Sequence, residues 1–121
     1  MTFSSQRPRW VSILAWLLAA FFVVGAIGNL IAPPAIAEDY RRWGYPDWFH
    51  FITGGLELAA AILLALRPFR LAGIGLAAAL MSAALLTVLV HREYGHAVAP
   101  VIVLAVTALV CWGSVRRSSK A

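Results

Sequence analysis

Charge is scarce in this chain. Asp, Glu, Lys and Arg make up only 12% of its 121 residues, against about a quarter in an ordinary soluble domain. With 62% hydrophobic residues and a mean hydropathy of +0.83, there is too little polar surface to coat a water-facing globule. The excess must face lipid. Cysteine is scarcer still. Cys111 stands alone, and a lone thiol forms neither an internal disulfide nor a dithiol redox pair. That excludes the four-helix membrane thiol oxidoreductases, which shuttle electrons through paired cysteines. Acidic residues are few as well, 5 against 10 basic ones, giving a net charge of +5. The basic residues come in short runs between apolar stretches rather than on one face of a folded module, so nucleic acid is not the expected partner. No internal repeat or low-complexity tract interrupts the chain.

What is present is four apolar stretches, at about 10–32, 48–66, 69–90 and 97–113. Each approaches the ~20 residues that cross a bilayer core as a helix, and helices satisfy every backbone polar group without water. The expected fold is therefore all-α, a single transmembrane four-helix domain over residues 1–121. The last span is expected to be the shortest, with Pro100 in its first turn, where a missing N–H costs little. A cleavable leader is the competing reading of the N-terminus: Arg7 and Arg9, an apolar run, then Ala35-Ile36-Ala37. The run exceeds the ~7–15 residues of a leader's apolar region, so a retained helix is expected.

Lys and Arg set the orientation. Arg7, Arg9, Arg67, Arg70, Arg116, Arg117 and Lys120 fall on one side of such a bundle, and Arg41, Arg42 and Arg92 on the other. The richer side is expected to be cytoplasmic, with both termini inside and residues 33–47 and 91–96 outside. A bacterial inner membrane suits this pattern. Aromatic residues agree. Trp10 and Trp112 mark the inner interface; Tyr40, Trp43, Tyr45, Trp48 and Tyr94 mark the outer one. Small residues (Gly25, Gly28, Gly54, Gly55, Gly73, Ala77 and the Gly75–Ala79–Ala83 ladder) are expected to form the packing seams between helices.

Glu57 is the most informative residue. It lies roughly 14 Å from either end of the second apolar stretch at 1.5 Å per residue, near the bilayer midplane. A carboxylate there costs about 3 kcal/mol on insertion scales. It must face the bundle interior, protonated or hydrogen-bonded, as a proton carrier, a general acid, a polar anchor for an apolar ligand, or an interhelical bond that fixes the bundle. His50, Thr53, Gly54 and Glu57 follow i, i+3, i+4, i+7 spacing and share one helical face. Comparable faces offer Gly25, Gly28 and Asn29 on the first helix, Ala84, Thr87 and His91 on the third, and His96, Pro100, Val103, Thr107 and Cys111 on the fourth. If these faces converge, they form an outward-opening polar vestibule floored by Glu57. Each member also has a plainer reading. His50 and His96 suit an interface, and His91 suits the C-terminal dipole of its helix. Asn29 suits an interhelical hydrogen bond, and Thr53, Thr87 and Ser82 suit bonds to their own backbone. Cys111 suits a small buried apolar site. Three histidines near one surface could ligate a metal or haem, but no His-x-x-x-His or other ligand spacing occurs, and no metal site is assigned. The outer loop, Glu38 to Trp48, combines mixed charges with a Gly44-Tyr45-Pro46 turn. Its aromatics suit either a lid over the bundle mouth or an interfacial anchor.

These residues have a family likeness. An apolar first helix, the Gly44-Tyr45-Pro46 turn, then Gly54-Gly55-Leu56-Glu57-Leu58, an arginine-containing hairpin, a small-residue-rich third helix with Met81, and a fourth helix resemble the DoxX-like family of small four-helix membrane proteins. The resemblance runs from about residue 22 to 110. It implies a membrane bundle, and it implies association with redox chemistry: the founding name comes from a subunit linked to thiosulfate:quinone oxidoreduction, and relatives are tied to membrane redox or detoxification complexes. Members often carry a basic residue near the end of helix 1. Asn29 stands there in this chain, so a charge pair with Glu57 is not carried over.

The leading expectation is a redox-associated subunit binding a small apolar molecule such as a quinone around Glu57, with His50 or His91 relaying a proton outward. The chain has no cofactor motif, so electrons would come from a membrane or soluble oxidoreductase partner. A four-helix small-molecule transporter is the alternative. Such transporters carry their essential glutamate in the first helix, however, and dual-topology members have a weak Lys/Arg bias, unlike this chain. A structural or assembly protein without catalysis, and a membrane isomerase or hydrolase with Glu57 as acid, complete the set.

Overall fold

The computed structural model describes the backbone of residues 9–120 and the side chains of residues 9–116. Arg7, counted above for orientation, lies outside them, as do the side chains of Arg117 and Lys120. Five α-helices follow in order: α1 (Arg9–Ile31), α2 (Pro34–Arg42), α3 (Phe49–Ala65), α4 (Arg70–Val90) and α5 (Val98–Lys120). Short 3₁₀ turns at Arg67–Phe69 and Tyr94–Ala97 lead into α4 and α5. The four long helices pack in a ring, α1 on α3, α3 on α4, α4 on α5 and α5 back on α1. Phe22, Ala60, Leu64, Ala77 and Val110 fill the centre, while Leu17, Val24, Ile31, Leu86 and Ile102 point outward. An apolar exterior around an apolar core is what a bilayer solvent permits.

α1 and the two segments that run from the 3₁₀ turns through α4 and α5 are long and apolar enough to cross a membrane. α3, with 17 residues, is the short member. The expected shortest span, 97–113, is instead part of a 23-residue helix. Hydropathy ends near Trp112, but the helix does not. Gly113 packs so closely on α1 that a Cβ there would come within 2.6 Å of the Trp10 ring. α5 thus continues against α1 after its apolar sequence has stopped.

One end of the ring is basic. Trp10 stacks on Trp112 with ring centroids 6.2 Å apart, so the start of α1 and the later part of α5 share that end. Arg70 joins them from α4. The sequence marks Arg70 as a surface topology charge, yet it is 2% exposed. Its Nε donates to the Leu64 carbonyl at 2.8 Å and its Nη1 to Ser12 Oγ at 3.5 Å. A cation that satisfies a late carbonyl of α3 is favoured by that helix's dipole.

The rotation of α4 corrects a second expectation. Arg70, Gly73, Ile74, Ala77, Met81 and Val88 form its buried stripe. A Cβ on Gly73 would lie 2.7 Å from the Leu64 backbone nitrogen, so only a glycine admits this approach of α4 to α3. The Gly75–Ala79–Ala83 ladder lies outside that stripe, and a Cβ added at Gly75 or at Gly55 would meet nothing within 4 Å. The buried Arg70 lies on this same stripe, at helical spacing from Gly73, Ile74 and Ala77.

At the opposite end the chain reverses twice. α1 stops at Ala32, whose φ of 48° is left-handed, before Pro33 and Pro34. A residue ahead of proline avoids helical backbone, and Pro34 then suits the first turn of α2. α2 itself ends in a Schellman motif: Tyr45 N–H reaches the Tyr40 carbonyl and Gly44 N–H the Arg41 carbonyl, both at 3.0 Å. Gly44 supplies the required positive φ, 87°. α4 closes the same way, with Glu93 N–H on the Val88 carbonyl at 2.8 Å and Arg92 N–H on Leu89 at 3.1 Å. Arg92 takes the left-handed position, φ 58°.

Candidate functional site

Glu57 occupies the centre of α3 and is 5% exposed. It faces α1, where Gly25 leaves space for its carboxyl: a Cβ at that position would collide with Glu57 Oε2. Gly54, one turn away on α3, allows the same closeness from the other side, since a Cβ there would lie 2.8 Å from Leu30 Cγ. The α1–α3 crossing is thus built around the carboxyl.

Asn29 is its partner. The Asn29 amide nitrogen donates to Glu57 Oε1 and, at 3.1 Å, to the Gly25 carbonyl. Both amide protons are then in use. Asn29 Oδ1 accepts from the Tyr40 hydroxyl at 2.6 Å. A chain of hydrogen bonds therefore runs from α2 through α1 to the middle of α3. Among the described residues no other hydrogen bond reaches the Glu57 carboxyl. Burial pushes the Tyr40 hydroxyl above its ordinary pKa of 10.0, so Tyr40 keeps its proton at neutral pH and remains a donor.

Two adjoining cavities meet this chain. One, of about 280 Å³, is walled by Asn29, Tyr40, Thr53, Glu57 and Met81 among others. The other, about 290 Å³, lies between α3 and α4 and is almost wholly apolar; Ile52, Leu56, Leu76 and Leu80 line it, and Ala79 and Ala83 leave its width. The ladder expected in a packing seam thus shapes this groove. The two share Tyr40, Trp43, Thr53, Leu80 and Ala84 as walls. Together they offer a polar head and an apolar body, the composition typical of small-molecule sites.

The other sequence candidates divide. His50 lies beside the site: its Nδ1 is 2.7 Å from the Asn29 carbonyl oxygen. It also lines a third cavity of about 390 Å³ with Tyr40, Arg41 and Asp47. Thr53 borders both inner cavities, but its hydroxyl turns to the Phe49 carbonyl at 3.4 Å. Thr87 donates to the Ala83 carbonyl at 2.9 Å and so accepts from the Tyr45 hydroxyl, 2.7 Å away. It closes the apolar groove and does not touch Glu57. His91 is exposed, with Nδ1 2.8 Å from the Thr87 carbonyl oxygen, and His96 lies 3.9 Å from Glu93. The three histidines do not converge, and among the described residues no three His, Cys, Asp or Glu side chains gather at metal-binding distance. Thr107, on the fourth expected face, is buried and bonded to its own Val103 carbonyl at 2.7 Å.

The segment between α1 and α3 supplies what the sequence alone does not announce. α2 lies over the bundle with Ile36, Tyr40 and Trp43 turned inward and Glu38, Arg41 and Arg42 outward. Tyr45 stacks on Phe49 at 4.6 Å and tilts against Tyr40 at 5.9 Å. Trp48 and Tyr94 stay exposed, 57% and 63%. The loop aromatics thus split between those packed over the bundle mouth and exposed Trp48. A clamp fixes the lid. Arg42 donates Nε to Glu93 Oε2 at 2.9 Å and Nη2 to Oε1 at 2.8 Å, and Trp43 Nε1 donates to Oε2 at 3.0 Å. These hydrogen bonds, Arg42's first, lower the Glu93 pKa from 4.5 to about 2. A bidentate guanidinium–carboxylate pair is directional as well as strong. Here it ties α2 to the α4–α5 turn across the mouth of the ring.

A ring of apolar helices with a buried carboxyl and a lidded groove defines a small multi-pass membrane protein. Within that class the chain belongs to the DoxX-like family, whose pattern matches residues 13–110. It is also similar to the uncharacterized protein YdgD of Bacillus subtilis (strain 168), with 33% identity over 95 residues, covering 78% of this chain and 81% of that one. No solved structure matches it.

Proposed function

We propose that this DoxX-like protein is a redox-associated membrane subunit that binds a small apolar molecule, such as a quinone, in the pocket around Glu57. The observation that carries this reading is the junction of the Glu57–Asn29–Tyr40 chain with the apolar groove between α3 and α4. A ligand with a carbonyl-bearing ring suits both halves. Its apolar body would lie along Ile52, Leu56 and Leu80, and its carbonyl would meet Glu57, which hydrogen-bonds it or passes it a proton. His50, between the site and the outer cavity, is the better placed of the two histidines to relay that proton outward. Electrons would come from an oxidoreductase partner in or on the membrane. The basic end would face the cytoplasm of a bacterial cell, with both termini inside.

Purification in mild detergent tests this directly. Extracted lipid-soluble molecules from the wild-type protein should include a quinone near one per chain, and Glu57→Ala should lose it. A wild-type protein repeatedly free of any such molecule, even after quinone is added to the membranes, sinks the reading. Proton-coupled efflux of small molecules from proteoliposomes would select the transporter alternative instead.

A further inference from the structure

Every carboxylate side chain of the sequence belongs to Glu38, Asp39, Asp47, Glu57 or Glu93. All five lie at the lidded end or at the centre of α3. The basic end, with Arg9, Arg67, Arg70 and Arg116, therefore has no Asp or Glu side chain. Arg70 is buried within the fold, where it donates to Leu64 and Ser12. Arg9 and Arg67 are exposed and converge on a separate cavity of about 300 Å³, lined by Arg9, Ser12, Ile13, Trp16 and Arg67.

The shape of this cavity follows from helix spacing. Arg9, Ser12, Ile13 and Trp16 are i, i+3, i+4 and i+7 on α1, so they form one stripe. It runs about 10 Å along the helix axis, from the mouth of the ring toward the membrane interior. The charged end holds two guanidiniums, one from α1 and one from the α3–α4 connection. Ser12 stands between them and the apolar end, and its oxygen accepts from Arg70. Beyond it Ile13 and Trp16 are 51% and 53% exposed and face outward. The order along the stripe is cation, hydroxyl, aliphatic, indole. Phosphate, glycerol ester and acyl chain, the groups met on descending a phospholipid, complement that order as anion, acceptor and apolar chain.

We propose that this groove is a binding site for an anionic phospholipid, with the phosphate held between Arg9 and Arg67 and one acyl chain along Ile13 and Trp16. Guanidinium forks suit phosphate oxygens, and basic pockets between transmembrane helices hold anionic head groups. The site is distinct from the Glu57 pocket and lies at the other end of the bundle. Its occupancy does not depend on what the Glu57 pocket binds.

The test is native mass spectrometry of the full chain in mild detergent, titrated with phosphatidylglycerol or phosphatidylcholine, with thermal melting alongside. Phosphatidylglycerol should be retained as one tight adduct and should raise the melting temperature; phosphatidylcholine should do neither. Arg9→Gln with Arg67→Gln should weaken the adduct roughly thirtyfold, at about 1 kcal/mol per arginine near the surface. Arg41→Gln, at the lidded end, should leave it unchanged. Melting of the lipid-free double variant, compared with lipid-free wild type, separates lost binding from lost folding. Equal retention of both lipids, or equal loss in Arg41→Gln, overturns the proposal. So does an adduct unaffected by the double substitution. Inorganic phosphate reproducing the whole thermal shift also overturns it, because the site would then take a free anion rather than a lipid.

Discussion

At the residue scale the buried carboxyl of Glu57 depends on one neutral donor. Replacing Asn29 by Leu removes that donor and leaves the carboxyl's oxygen unpaired, a loss of about 1–3 kcal/mol. Tyr40→Phe removes only the outer bond of the chain, for which interhelical bonds in membranes suggest about 0.6 kcal/mol. Thermal melting of the two variants in detergent should rank Asn29→Leu well below Tyr40→Phe, with Tyr40→Phe close to wild type. The reverse order would show that the Asn29 amide is not what supports Glu57. Glu57 and Asn29 were legible in the sequence because a carboxylate and an amide stand out against an apolar background. Tyr40 was not. A tyrosine beside the membrane has an equally good reading as an interfacial anchor, and only its reach of 2.6 Å to Asn29 separates the two.

At the scale of elements α2 is the departure from expectation. Nine residues are too few to form a stable helix alone, and their mixed charges read as loop. Yet its signals were present: Pro34 at the start, Ile36, Tyr40 and Trp43 at i, i+4 and i+7, Arg41 and Arg42 in the last turn, and Gly44 just beyond. Packing on α3 and the Glu93 clamp supply what intrinsic propensity lacks. The clamp also gives α2 a pH dependence. The Glu93 pKa is about 2 in the folded protein, below its ordinary 4.5, so the folded state binds fewer protons and the clamp's contribution rises with pH. It is complete above about pH 5 and disappears as pH falls toward 2. Hydrogen exchange over residues 34–43 should show that protection persisting to mildly acidic pH and then failing. Glu93→Gln should expose the segment already at neutral pH and show no acid step. A variant as well protected as wild type would mean that the aromatic contacts alone hold the lid.

For the whole molecule, the all-helical membrane bundle followed from the spacing and length of the apolar stretches, since the bilayer admits few alternatives. Helix rotation did not follow. Small residues on α4 offered two faces, Gly73–Ala77 and Gly75–Ala79–Ala83, and composition could not choose between them. The face that turned inward is the one where Gly73 meets the α3 backbone, and it carries Arg70, which a sequence presents as a surface charge near a helix start. Orientation in the cell is open to direct test. A reporter joined after Ala121 should be active in the cytoplasm, and a cysteine placed at Gly44 should react with an impermeant reagent from outside. The opposite pair of results would invert the bundle and place the lidded site on the cytoplasmic side.

α3 is the short stave of this ring. Its 17 residues reach about 25 Å at 1.5 Å each, against a hydrocarbon core of roughly 30 Å. Its neighbours on either side are long enough to span. Lipid beside α3 must therefore thin locally, or the helix must draw its flanking residues toward the middle, at a fraction of a kcal/mol for each Å of mismatch. The apolar groove lies along that same helix. Whichever accommodation α3 takes, it falls on the side where the groove runs, and a thinner membrane would ask less of that side.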